Sequence, residues 1–243
     1  MTEKQRINRF IASCGICSRR KADLLVKEER VTVNGEICID PSRVIDPVRD
    51  AVSVDGTKLV LQEKLYLALH KPKGYVCSVS DRFTRTVMEL LPSDYRARGL
   101  FPVGRLDKGS EGLLLLTNDG ALAQRILHPG QQVPKTYQVL LDAPVSEDTL
   151  NSLSRGSEVA GRLVIPEKVL LLGISPKGRW VSITLLEGLK REIRIMVSTR
   201  GLKVERLIRT RVGQLELKRL KPGRFVILER ETLLDMVLHG GAV

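Results

Sequence analysis

Two absences bound this chain first. No apolar run among its 243 residues approaches the ~20 that a membrane-spanning helix requires. The opening residues, Met1-Thr2-Glu3-Lys4-Gln5-Arg6, lack the apolar segment of a secretory signal. Together these point to a cytoplasmic protein. Cysteine is scarce, with four residues at positions 14, 17, 38 and 77. Cys14-x-x-Cys17 has the spacing of half a zinc site, but a structural zinc usually takes a second ligand pair, and only scattered Cys38, Cys77 and His70 remain. No βαβ pattern precedes the pair, as a redox motif would require. The cysteines therefore read as small buried thiols, and no metal is expected. Lys108-Gly109-Ser110 lacks the spacing of a phosphate-binding P-loop, which argues against a nucleotide-binding enzyme of that kind.

What the chain does have is positive charge, a net +12 placed unevenly. Residues 189–230 hold 13 basic and 4 acidic side chains, whereas residues 1–60 are nearly balanced at 11 and 9. Such a stretch is either a solvated face or a polyanion-binding surface. Arginine dominates it, through Arg191, Arg194, Arg200, Arg206, Arg209, Arg211, Arg219, Arg224 and Arg230. Guanidinium groups suit bidentate phosphate contacts, so nucleic acid is the favoured reading.

Residues 1–60 form a unit of their own. Ile7, Phe10 and Ile11 fall at helical spacing, and Gly15 should end that helix. Ser18 is placed to cap a second helix running to about Glu28. Arg19, Arg20 and Lys21 then occupy its first turn, where the helix dipole favours acids. Local stability does not explain three cations there, but a bound phosphate would. Asn34-Gly35 between two apolar runs predicts a hairpin, and Asp55-Gly56 a second. Ser18-Arg19-Arg20-Lys21-Ala22-Asp23 and Val31-x-Val33-Asn34-Gly35 resemble the RNA-binding module of ribosomal protein S-four. That resemblance implies RNA binding and does not by itself imply catalysis. Residues 61–64 read as a linker, and a second domain is expected over 65–238. Two tethered RNA-binding units raise each other's effective concentration on one RNA.

The most informative stretch is 104–120, Gly-Arg-Leu-Asp-Lys-Gly-Ser-Glu-Gly-Leu-Leu-Leu-Leu-Thr-Asn-Asp-Gly. Leu113 to Leu116 read as a short, fully buried strand. A loop anchored at the end of such a strand can hold a reactive side chain accurately, and Asp107 lies on that loop. The stretch resembles the active-site signature of the RsuA/RluB-type ribosomal RNA pseudouridine synthases, which convert a uridine already in RNA to its C-glycoside isomer. The resemblance implies that Asp107 is the catalytic carboxylate.

Further segments extend it. Tyr66 to Val79 reads as strand, turn and strand around Lys71-Pro72-Lys73-Gly74, and that turn is either placed near RNA or simply solvated. Residues 120–128 suit a helix, and His128 beside Pro129 reads as a helix-end residue bonded to backbone rather than an acid–base group. Lys135 and Tyr137 share one face of a strand, since side chains repeat every second residue. On residue type alone Tyr137 is a core tyrosine; the family's Lys-x-Tyr implies one that packs against the flipped target base. Residues 179–187 read as a strand turning at Gly188, followed by a helix ending near Gly201. The family's Arg-Gln-Ile-Arg-Arg-Met segment implies that Arg194 is the partner of the catalytic aspartate. This chain departs from it with Glu192 and Ile195, and Leu189 and Gly109 also differ, which bears on the RNA that is read. Leu220 and Pro222 are expected behind the base pocket.

The fold class implied is α+β. A small N-terminal module precedes a mixed, mainly antiparallel catalytic sheet with flanking helices, the pseudouridine synthase fold. The candidate catalytic residues are Asp107, Tyr137 and Arg194; the candidate RNA contacts are Arg105, Lys135, Arg19, Arg20, Lys21, Lys190 and Arg191. The isomerisation needs no oxidant, phosphate donor or metal, so no cofactor is expected. The partner implied is ribosomal RNA, free or in an assembling particle, bound by a monomer. A rival reading is a non-catalytic ribosomal RNA-binding or assembly factor. A glycoside hydrolase would pair Asp107 with a second carboxylate, and Glu111 is the nearest in sequence.

Overall fold

The computed structural model describes residues 4–175 and 178–238. The chain divides into two compact units. One comprises the chain up to Leu65 with Leu91–Phe101 and Thr117–Gly120; the other comprises Tyr66–Leu90, Pro102–Leu116 and the chain from Ala121 onward.

In the front unit, β1 (Gln5–Arg6), α1 (Ile7–Ser13) and α2 (Arg19–Lys27) precede β2 (Val31–Val33), β3 (Glu36–Ile37), β4 (Val44–Ile45), β5 (Val52–Val54) and β6 (Thr57–Lys58). Ile7, Phe10 and Ile11 bury one face of α1 against Leu25, Val26 and the β2 and β5 valines. Ser18 caps α2 by accepting the Lys21 amide at 3.3 Å. Both hairpins turn on residues of positive φ, Asn34-Gly35 and Asp55-Gly56, as a type I′ turn demands. A four-stranded sheet results, in the order β3-β2-β5-β6. The four cysteines are free, and burial pushes the Cys14 thiol up to about 12.

The second unit follows with β7 (Tyr66–Lys71); α3 (Ser93–Arg96) belongs to the front unit's cluster. Next come β8 (Phe101–Val103), β9 (Glu111–Thr117), α4 (Gly120–Leu127), β10 (Lys135–Leu141), α5 (Glu147–Ser154), β11 (Ser157–Val159) and β12 (Arg162–Val164). The chain continues through β13 (Lys168–Ser175), β14 (Gly178–Leu185), α6 (Glu192–Ser198), β15 (Val204–Val212), β16 (Leu215–Glu216), β17 (Phe225–Ile227) and α7 (Arg230–Val237). The main sheet runs β13-β14-β10-β15-β9-β7-β17, with β16 on β15 and β8 on β9. β9 lies parallel to β15, while the β10, β13, β16 and β17 pairings are antiparallel.

The leucine strand is buried along its whole length, as its composition predicts. Burying four leucines contributes roughly 6–12 kcal/mol before chain entropy is counted. Its closest approach to β15 is at Gly112, where φ is +111° and a Cβ would stand 2.2 Å from the Arg209 carbonyl oxygen. Only glycine lets these two backbones meet.

Two expectations are corrected and a third is refined. Tyr75–Val79 is not a strand; it holds an isolated bridge between Val76 and Thr86. β7 already sits between β9 and β17, so neither of its own edges is left for this segment. Leu220 and Pro222 do not reach the pocket: the Leu220 carbonyl is bonded to His70 Nδ1 at 2.6 Å, and Pro222 is exposed. The arginine-rich stretch is divided: Arg200, Arg206, Arg209 and Arg211 are engaged by protein acceptors, while Arg191, Arg219, Arg224 and Arg230 are exposed. Arg200 fastens α5 and α6 to the Gly156–Ser157 turn. Arg206 forks onto Glu111 at 2.9 and 3.0 Å, Arg211 pairs with Glu216, and Arg209 is buried with Nε on the Leu113 carbonyl at 2.8 Å. An interior strand such as β15 gives its arginines protein acceptors before solvent or phosphate.

Gly112→Ala should destabilise the protein by about 3 kcal/mol or more, from overpacking together with backbone strain. Urea denaturation measures this; a midpoint unchanged from wild type would show that the β9–β15 approach tolerates a methyl group.

Candidate active site

The 104–110 loop joins β8 to β9 and turns on itself, with the Ser110 amide on the Asp107 carbonyl at 3.0 Å. It is braced by Lys71, at the end of β7. This side chain is fully buried, and its Nζ donates to the carbonyls of Pro72 at 3.1 Å, Asp107 at 3.1 Å and Ser110 at 2.7 Å. Gly74 adds a backbone bond to the Lys108 carbonyl at 2.8 Å. The Lys-Pro-x-Gly turn is therefore the support of the aspartate loop, a role not legible in the sequence. Burial lowers the Lys71 pKa, as desolvation of an ammonium must.

Asp107 opens into a cleft of 440 Å³, a volume within the range of small-ligand sites. Arg105, Lys108, Lys190 and Arg191 are exposed and line it, so its rim is basic; its lining carboxylates are Asp107 and Glu192. Tyr137 lines the cleft while remaining buried. A β-bulge between Thr136 and Tyr137, in the pairing with β15, sets the ring opposite Arg209. Burial raises the Tyr137 pKa, and the charge and hydrogen bond of Arg209 work the other way. Arg209, read from sequence as a phosphate contact, is thus a buried cation behind the tyrosine.

Arg194 lies on α6, alongside the aspartate loop. Its Nη1 donates to the Val204 carbonyl at 3.0 Å, and a Cβ on Gly109 would lie 4.0 Å from its Nη2. Burial lowers its pKa, the Arg191 charge adds to that, and Asp107 opposes both. The Asp107 charge therefore acts on Arg194, although Arg194 is not among the residues that line the cleft. Lys135 points inward, with Nζ 3.4 Å from the Leu186 carbonyl, and burial lowers its pKa. Arg19, Arg20 and Lys21 are exposed in the first turn of α2, in the other unit. His128 follows α4 and caps the 3₁₀ turn Pro129–Gln131, its Nδ1 accepting the Gly130 amide at 3.1 Å, so it is bonded to backbone. Glu111 is bound to Arg206 and to Lys73 at 3.6 Å. Burial works to raise its pKa, but these cations outweigh it and hold the carboxyl below its usual range. It is an ion-pair residue, not the proton-bearing partner a hydrolase would need.

Glu192 was read from sequence only as a departure from glutamine. It is buried, accepts the Leu189 amide at 2.8 Å, and shapes the 188–191 wall of the cleft. Burial raises its pKa to about 7, against the opposing effects of the Leu189 bond and the Lys135 charge. Between its ordinary value near 4.5 and 7, the folded protein holds a proton that the unfolded chain has released. Stability from this group is therefore full below pH 4.5 and falls as pH rises to 7, by on the order of 3 kcal/mol. Glu192→Gln keeps the acceptor and removes the titration. Its melting temperature should gain on wild type between pH 5 and pH 8; a constant difference across that range would place the carboxyl outside the buried site.

Comparison with known proteins agrees with this geometry. Residues 65–199 match the family model described as RNA pseudouridylate synthase, and residues 5–49 match the S4 domain. An uncharacterized RNA pseudouridine synthase of Aquifex aeolicus is 38% identical over 233 residues, covering 95% of this chain and 93% of its own. Ribosomal large subunit pseudouridine synthase B of Bacillus subtilis is 33% identical over 221 residues, 90% of each chain. A crystal structure of a pseudouridylate synthase superposes with a TM-score of 0.66 at 29% identity, covering 96% of this chain and 100% of that one. The buried leucine strand, its aspartate loop and the basic cleft thus stand in a chain that belongs to the RNA pseudouridylate synthase family and carries an S4 domain at its front.

Proposed function

We propose that this protein isomerises uridine to pseudouridine in ribosomal RNA of the large subunit, with Asp107 as the catalytic carboxylate acting on an everted nucleotide. The observation that carries the reading is Asp107 on a loop clamped by buried Lys71, facing a basic cleft that Tyr137 also lines. The large-subunit assignment follows the relative from Bacillus subtilis that is named for that RNA.

The reaction breaks the bond from C1′ to N1, turns the base and joins C1′ to C5. C5 loses a proton and N1 gains one, so no electron or group donor enters the balance. A carboxylate suffices to begin the exchange as nucleophile. A base covering Asp107 strips water from it and disfavours its charge; the guanidinium of Arg194 opposes that loss. Tyr137 stacks on the base, worth roughly 1–3 kcal/mol, with Arg209 fixing its hydroxyl. Arg105, Lys190 and Arg191 grip the flanking phosphates, while Lys135 stands beneath the cleft wall. Eversion costs a few kcal/mol, and phosphate contacts offset it.

Residues 1–60 act as a separate RNA-holding module through Arg19, Arg20 and Lys21, tethered by 61–64 to the catalytic domain over 65–238. The protein works as a monomer in the cytoplasm, a setting that suits its four free thiols. A non-catalytic assembly factor would share the basic charge but has no use for the Asp107 loop and its buried brace.

Asp107→Asn should bind RNA as wild type does and lose on the order of 10³-fold or more in turnover. Mapping pseudouridine in unmodified transcripts reads this directly, and residual turnover near wild type rejects Asp107. Arg19→Glu with Arg20→Glu should weaken binding and flatten its salt dependence by about 0.7–0.9 in log–log slope per lost phosphate contact. An unchanged slope would remove these arginines from the RNA interface.

A further inference from the structure

Phe83 is 96% exposed, the most exposed large hydrophobic side chain among the described residues. Singly exposed apolar residues are common on proteins and mean little alone. This one stands on a loop built to hold it outward. The loop's ends are tied by the Val76–Thr86 bridge, with the Val76 amide on the Arg85 carbonyl at 2.9 Å and the Val87 amide on the Val76 carbonyl at 3.0 Å. Within it, Asp81 Oδ1 accepts the amides of Phe83 at 2.9 Å and Thr84 at 2.8 Å, and the Ser78 hydroxyl donates to the Ser80 carbonyl at 2.7 Å. Arg85 lies over the Tyr75 ring at 4.8 Å and reaches Glu89 at 3.4 Å. The acids of the loop are thus engaged locally, while Arg82, next to Phe83 in the chain, is exposed. Val76 and Cys77, at the base of the loop, line the same cleft as Asp107.

We infer that Phe83 is a stacking platform for an unpaired RNA base next to the target nucleotide, outside the cleft that receives the target. This rests on the RNA-modifying function proposed above. Aromatic rings among cations are the surface that single-stranded nucleic acid recognises, because every base offers a π-face and every linkage a charge. A protein partner would be served by an apolar patch, whereas the chain on either side of this ring carries the exposed cations Arg82 and Arg85. The contact tolerates any base, so it holds the strand in register with Asp107 and leaves the choice of uridine to other groups.

The test uses the full-length protein and an unmodified large-subunit ribosomal RNA transcript. Phe83→Ala should weaken binding roughly five- to hundredfold and raise KM alike, with the single-turnover rate at saturating RNA unchanged. Phe83→Leu should behave like alanine, because stacking needs the ring. Phe83→Trp should bind like wild type, and its emission, read against the Trp180 background of wild type, should fall on adding RNA. Binding by Phe83→Ala within twofold of wild type overturns the inference. So does tryptophan emission unmoved by saturating RNA, or a change in self-association with RNA affinity intact. If wild type leaves every uridine of the transcript unmodified, the enzyme assignment fails instead, while the binding arms still report on Phe83.

Discussion

A lysine ammonium taken wholly out of water is the constraint on which the site depends. Lys71 is held by three carbonyl oxygens, and two of them belong to Asp107 and Ser110. Burying such a charge costs several kcal/mol, recovered only while those bonds persist. The aspartate loop therefore cannot drift without stranding the ammonium. Since β7 and β9 are both interior strands of the main sheet, the brace and the loop share one rigid frame. This arrangement holds the backbone under Asp107 fixed and leaves its side chain facing the cleft.

Charge in this protein is divided between structure and surface by strand position. Arg206, Arg209 and Arg211 lie on β15, between β9, β10 and β16, and each is met by Glu111, Leu113 or Glu216. Arg209 gains a second use there, because its guanidinium also bonds the Tyr137 hydroxyl from behind the cleft. The exposed cations that line the cleft stand on turns and helix starts: Arg105 and Lys108 on the aspartate loop, Lys190 and Arg191 before α6. Glu192 places a buried acid among them with a pKa of about 7, and its hydrogen bond to Leu189 gives the cleft wall its shape.

How much was legible beforehand follows from the range of the forces involved. The Ser18 cap, the Asn34-Gly35 and Asp55-Gly56 turns and the His128 bond to backbone are settled within a few residues, so local chemistry announces them. The leucine strand needs only to be buried, which its composition demands. Tyr75–Val79 has the same strand-like composition, yet it pairs nowhere in the main sheet, because Phe225–Ile227 takes the edge of β7 from 150 residues away or more. No local rule could foresee that competition. The buried role of Lys71 was hidden for a related reason: a lysine before a proline reads as a surface turn until the carbonyls of a distant loop surround it.

By itself, the sequence determined the family signature and the two-part organisation of the chain, since these depend on residue type and order along the chain. Tertiary structure alone decided which cations reach a ligand and which are spent on protein acceptors. It also decided that Tyr137 stands against a buried arginine, and that one turn of chain holds the aspartate in place. Burial is the physical reason: it selects each polar group's partner from everything brought near in space, and a linear sequence does not contain that neighbourhood.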